Sequence, residues 1–132
     1  MASEKFEQGL AMRKQVLGDE YVNASIENAD EFTMPLQELV TEYCWGTVWK
    51  RDGLSPKMRS IINLAMITAL NRPHELKLHV RGALNNGLSR EEIREVLLQT
   101  AIYCGVPAAI DSFRVAKSVF AEEDSKAEAD KA

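Results

Sequence analysis

The sequence predicts an all-α protein, a single-domain helical bundle of about six helices, and three observations carry that prediction. Apolar residues recur at three- and four-residue spacing along most of the chain. Helix punctuation is frequent: a serine–proline start, a capping box, and glycines just past the apolar stripes. No segment alternates β-branched and polar residues as a half-buried strand does. No repeat or linker interrupts the 132 residues, a length that most simply makes one domain.

The elements follow in order. Phe6, Leu10, Arg13, Val16 and Leu17 share one face of a first helix, stopped by Gly18. A looser segment is predicted as far as Asp30. Thr33 is placed to cap a second helix with Pro35 in its first turn, and Leu36, Leu39, Val40, Tyr43 and Val48 are predicted as its buried face. Residues 50–54 read as a loop. Ser55 and Pro56 then supply a cap and a first helical residue. The helix that follows, to about Leu70, is apolar nearly all round and is predicted to be the most buried. Pro73 opens another that ends at Asn86-Gly87. Ser89 and Glu92 form a capping box before the stripe Ile93, Val96, Leu97, Thr100 and Ala101, which Gly105 ends. Pro107 begins a last helix with Ile110, Phe113, Lys117 and Phe120 at helical spacing. From Glu122 onward there are five acids, two lysines and no large apolar residue. That composition predicts a helical domain over residues 1–121 and a charged, disordered tail over 122–132.

Composition narrows the function. A net charge of −4 and a pI near 5.2 argue against general nucleic-acid binding, which wants a basic face. The longest apolar run, Ile61 to Leu70, is broken by Asn63 and Thr68 and falls well short of the roughly 20 residues of a membrane span. No apolar leader follows the opening Met-Ala-Ser-Glu-Lys. Cys44 and Cys104 lie in apolar sequence and are predicted to be buried free thiols, which suits a cytoplasmic protein.

Two stretches hold the residue types that do chemistry. In the first, Glu75 and His79 stand four apart on a predicted helix, so they share a face. A carboxylate within reach is expected to fix the imidazole's tautomer and hold its pKa near or above neutral. The other reading is a surface pair with no chemistry. Arg72, Glu75, His79 and Asn86 fall on one polar stripe beside the apolar Leu76, Val80, Ala83 and Leu84. Lys77, Arg81 and His74 point elsewhere. In the second stretch, both tryptophans, Trp45 and Trp49, precede Lys50, Arg51, Lys57 and Arg59, opposed only by Asp52. Such a basic segment in an acidic chain would draw a small anion, and arginine's fork suits a carboxylate. The alternative for Trp45 is an aromatic core anchor. Asn63, one turn after Arg59, needs a partner if buried. There is no phosphate loop, no Cys-x-x-Cys and no metal-ligand spacing, so the default is a protein without metal or cofactor.

These residues, in this order and spacing, resemble the carboxymuconolactone decarboxylase family. The likeness rests on Trp45-Gly-x-x-Trp49, the Arg59-Ser-Ile-Ile-Asn-Leu-Ala helix, Ala69-Leu-Asn-Arg72 and Glu75-Leu-x-Leu-His79-x-Arg81. It continues through Ala83-x-x-Asn86-Gly87 and Gln99-Thr-Ala-Ile-Tyr-Cys-Gly-Val-Pro-Ala-Ala109, and Arg13-x-x-Val-Leu-Gly-Asp19 also fits. It covers about residues 6 to 121.

The resemblance implies an alkylhydroperoxidase D-like all-α fold assembled into homo-trimers or hexamers. Peroxidase members of that superfamily carry Cys-x-x-Cys-x-x-x-His, where this chain has Arg72, Glu75 and His79, so thiol peroxidase chemistry is not expected. It further implies cofactor-free loss of CO2 from 4-carboxymuconolactone, giving the β-ketoadipate enol-lactone of aromatic catabolism. Carried over residue by residue, Arg59 and Arg51 would contact carboxylate or enolate oxygens and His79 would deliver the proton. Glu75 would orient His79; Trp45 and Trp49 would line the apolar part, and Arg72 would be a further substrate-binding residue. Two other readings stand: a related decarboxylase or isomerase acting on another small acid, and a helical oligomer that binds a ligand without turning it over.

Overall fold

The computed structural model describes residues 3–131. Among them are seven α-helices, one π-helix and no strand. Contacts divide the chain after Arg59, inside the fourth α-helix, into a unit of residues Met1–Arg59 and a unit of residues Ser60–Ala132.

In the first unit, α1 (Glu4–Leu17) begins where the Ser3 hydroxyl accepts the Phe6 amide at 3.0 Å. It ends at Gly18, whose φ of 93° is costly for any residue with a Cβ. The segment predicted to be loose is instead α2 (Asp19–Glu27). Its signal is weak because only Val22 is buried, so no apolar stripe repeats; Asp19 and Glu20 in the first turn are the helical cue. α3 (Met34–Leu39) carries Pro35 in its first turn as expected. Thr33 does not cap it: the hydroxyl accepts from the Asp30 amide at 3.0 Å, while the Thr33 amide donates to the Asp30 carboxylate at 2.9 Å. Those bonds to the charged form lower the Asp30 pKa.

α3 runs straight into the π-helix, Val40–Val48. There, of the predicted buried face, only Val40 packs against the core. Leu36, Leu39, Tyr43 and Val48 are exposed, while Thr41, Trp45 and Trp49 are buried. The expected stripe assumed a 3.6-residue turn. A wider i→i+5 turn, as in the 2.9 Å bond from the Trp49 amide to the Cys44 carbonyl, rotates less per residue and so shifts which residues face inward. α1 lies tight on this element. A Cβ at Gly9 would sit 1.9 Å from the Thr41 carbonyl oxygen, and one at Gly46 would sit 2.5 Å from the Lys5 carbonyl oxygen. Glycine at both positions is what lets the two backbones touch.

The second unit contains the rest of α4 (Pro56–Leu70) with α5 (Pro73–Asn85), α6 (Arg90–Tyr103) and α7 (Val106–Lys131). Ser55 caps α4 by accepting the Met58 amide at 3.2 Å. α4 is not buried all round: Ser60, Leu64 and Thr68 face inward, whereas Ile62, Met66 and Leu70 are exposed. It ends in a Schellman motif, with Asn71 left-handed at φ 57° and the Arg72 amide bonded to the Ile67 carbonyl. Gly87 closes α5 in the same way, and the Leu88 behind it is buried. The capping box is present in full, with Ser89 and Glu92 exchanging bonds of 3.0 and 2.9 Å.

Leu64, Leu76, Val80, Ile93, Leu97 and Val119 lie at the centre of this unit's core. The inner stripe of α7 is Ala109, Ser112, Ala116 and Val119, with Phe113 and Phe120 of the helically spaced set partly buried against the same core. Small residues let α7 approach closely, and Ser112 shares a buried 2.9 Å bond with Thr68. α7 also continues through the segment predicted to be disordered, as far as Lys131. Glu122 pairs with Lys77 and Arg81, and Asp124 with Arg90, so charge supplies the order that apolar burial does not. Among the described residues, no helix is long and apolar enough to cross a membrane.

Candidate functional site

The expected site residues fall in both units. In the first, Trp45 and Trp49 stack with ring centroids 4.7 Å apart. At 3% and 5% exposure they are enclosed with Met12 and Val16, so both indoles serve as core anchors. Beside them Arg13, itself buried, donates to Gln37 at 2.9 Å and to Thr41 at 3.3 Å. Sequence periodicity placed Arg13 on the inner face of α1 without suggesting that polar role.

Arg59 and Arg51 do come together. The Arg59 guanidinium donates from Nη2 to the Arg51 carbonyl at 3.2 Å. Its Nε is enclosed and meets no hydrogen-bond acceptor among the described residues. The Arg51 side chain is exposed. Cys44 and Cys104 are exposed rather than buried. Crowding around the Cys44 thiol still raises its pKa, partly offset by the Arg13 charge, which disfavours a reactive thiolate there.

In the second unit, Glu75 and His79 lie on α5 as expected, Glu75 exposed in the first turn and His79 half-buried. The His79 pKa departs from expectation. Burial penalises the imidazolium and lowers the pKa, and the Glu75 charge only partly opposes this. A lone carboxylate in water screens poorly against the cost of desolvating the ring. Burial therefore favours the neutral imidazole.

One polar contact to the ring comes from an unexpected residue. Asn63 Nδ2, on α4, lies 3.4 Å from His79 Nδ1. A second polar bond joins the same helices, from Asn86 Nδ2 to the buried Ser60 hydroxyl at 2.9 Å. Arg72 turns back over the end of α4, its guanidinium donating to the Leu70 and Asn71 carbonyls. There it neutralises a helix C-terminus. His74 is exposed, as expected. Among the described residues, no three His, Cys, Asp or Glu side chains gather where they could hold a metal ion.

The carboxymuconolactone decarboxylase family pattern matches residues 35–118, which include Trp45, Trp49, Arg51, Arg59, Asn63, Arg72, Glu75 and His79. The chain belongs to the carboxymuconolactone decarboxylase family. Within it, the chain is 46% identical to a nitrosuccinic acid decarboxylase of Metarhizium robertsii, over 93% of this chain and 86% of that protein. It is 38% identical to the 4-carboxymuconolactone decarboxylase of Acinetobacter baylyi, over 89% of this chain and 87% of that one. A 15.0 kDa protein of Paracoccus denitrificans with no assigned function is 36% identical over 71% of this chain and 70% of its own length. Two family members of nearly equal extent are thus decarboxylases named for different acids. This family member is a decarboxylase too.

Proposed function

We propose that the protein removes CO2 from a small dicarboxylic acid whose leaving carboxylate sits beside an electron acceptor built into the substrate. The observation that carries this reading is kinship over nearly the whole chain with decarboxylases of two such acids. 4-Carboxymuconolactone is an unsaturated lactone with two carboxylates, and nitrosuccinic acid bears a nitro group on the carbon that holds one of its two. In both, the bond to the departing carboxylate breaks and its electron pair flows into the substrate, onto the lactone carbonyl or the nitro group. A proton then replaces the lost CO2 at carbon. The substrate is its own electron sink, so the reaction asks for no pyridoxal or thiamine.

The enzyme's tasks are to hold a dianion and to stabilise negative charge growing on an acceptor oxygen. Arg59 suits the first, because its enclosed Nε edge is still to be matched and side-on carboxylate binding uses that edge. Arg51 adds exposed positive charge beside it. His79 suits the second task, with Glu75 moderating its charge. The resemblance favours 4-carboxymuconolactone, whereas the higher identity to the M. robertsii enzyme favours nitrosuccinic acid. The exposed apolar residues Ile62, Met66, Tyr103 and Ile102 (79% exposed) border or flank a groove of about 350 Å³ between α4 and α6. They support a homo-oligomer, since patches of this kind are usually covered; sedimentation would show a monomer if that is wrong.

Purified protein should be given each acid, following CO2 and the ultraviolet change together. Turnover of one or both supports the reading and names the substrate; turnover of neither by the folded protein overturns it. The variant His79→Gln should lose about 10²–10³-fold in kcat, the range for one lost donor to developing charge, with unfolding at neutral pH unchanged.

A further inference from the structure

The contact between Asn63 and His79 specifies more than proximity. A carboxamide nitrogen donates hydrogen bonds and accepts none, so His79 Nδ1 is the acceptor across the 3.4 Å contact. A neutral imidazole that accepts at Nδ1 carries its proton at Nε2. The Ser60–Asn86 bond ties the same two helices three residues before Asn63 and seven after His79. The donor and the ring are therefore each set on a helix whose spacing is held by a second polar rung.

We infer that Asn63 is a positioning residue of this decarboxylase, holding His79 as the Nε2–H tautomer so that the ring serves as a neutral hydrogen-bond donor to the oxygen on which charge grows. The inference rests on the proposed role of His79. Residue type at position 63 decides the outcome. A carboxylate there would accept from Nδ1–H and leave Nε2 with a lone pair, the arrangement of a general base. An amide that presents its nitrogen to the ring, as Asn63 does here, does the reverse. A donor already in place stabilises developing negative charge without moving a proton in the same step, as neutral histidine does beside other enolates. Burial of the ring acts in the same direction by disfavouring the imidazolium. Asn63 thus converts a residue that elsewhere takes protons into one that presents a fixed N–H.

The test uses nitrogen-15-labelled histidine, of which the chain has two, with His79→Gln assigning the signals. In long-range proton–nitrogen spectra at neutral pH, His79 should show a pyridine-like Nδ1 and a pyrrole-like Nε2. Asn63→Asp should move the proton to Nδ1, and Asn63→Ala should give a mixture of tautomers. Both should lose about 10–100-fold in kcat, the usual range for a second-layer partner, with KM changed far less. A proton on Nδ1 in the unaltered protein, or an unchanged tautomer in Asn63→Asp, would overturn the inference. Full turnover by His79→Gln is a separate outcome: it would remove the ring's role in the reaction while leaving the tautomer result standing.

Discussion

The two units reach order by different means. The unit of residues 60–132 is built from regular α-helices, each ended by a device that local sequence specifies: a capping box at Ser89, left-handed caps at Asn71 and Gly87, and a core of aliphatic side chains. The unit of residues 1–59 depends on a π-helix, on backbones in contact at Gly9 and Gly46, and on a buried guanidinium at Arg13. Side-chain volume dominates one, and backbone fit the other. A core of the first kind tolerates reshaping and loses stability in proportion to what is removed. Contacts of the second kind leave no room for the smallest addition.

That contrast can be broken from either side. Leu97→Ala should cost the second unit about 2–5 kcal/mol, the range for a fully buried leucine, read by urea unfolding. Gly9→Ala adds one methyl, yet it meets the Thr41 carbonyl rather than a flexible side chain. It should cost about 3 kcal/mol, the upper range for overpacking. Gly53→Ala, with nothing within 4 Å of the new Cβ, should change stability by less than about 0.5 kcal/mol. Equal behaviour of the two glycine variants would refute backbone fit as the first unit's constraint. Ser89→Ala removes a cap and should cost about 1 kcal/mol, seen as a modest fall in Tm.

The last prediction concerns pH. The folded pKa of His79 lies below its unfolded value of about 6.5, so the unfolded chain binds the proton more readily. Stability is therefore fully present above pH 6.5, falls as pH drops from there through the folded pKa, and levels off below it. Against His79→Gln, the unaltered protein should lose stability on acidification over that window. A stability gain on acidification would mean that Glu75 outweighs burial.

The same contrast explains what could be read in advance. Helix starts and stops at Ser55, Pro73, Ser89 and Gly105 are local signals, and the structure follows them. The buried face of residues 36–48 was not legible, because periodicity presumes an α-helical turn and nothing in Val40–Val48 announces a wider one. Gly9 carried a signal that was available, a glycine inside an otherwise good helix, which often marks close packing. The i,i+4 placement of Glu75 and His79 was legible, but the sign of the pKa shift was not, since desolvation depends on neighbours distant in sequence. Asn63 was noticed only as a polar residue in need of a partner. Its pairing with His79, 16 residues away, required the fold.

One consequence of the ordered end of α7 concerns how charged molecules arrive. Glu122 takes up Lys77 and Arg81, which bracket His79 in sequence on α5. These groups are partly exposed, so each pair adds at most about 1 kcal/mol to stability. Their larger effect is on the field above the helix. With Glu122 in place, these two cations of α5 are offset; in a chain cut after Ala121 they lose that partner. Such a chain would attract a dianion faster at low ionic strength, and its association rate would fall more steeply with added salt.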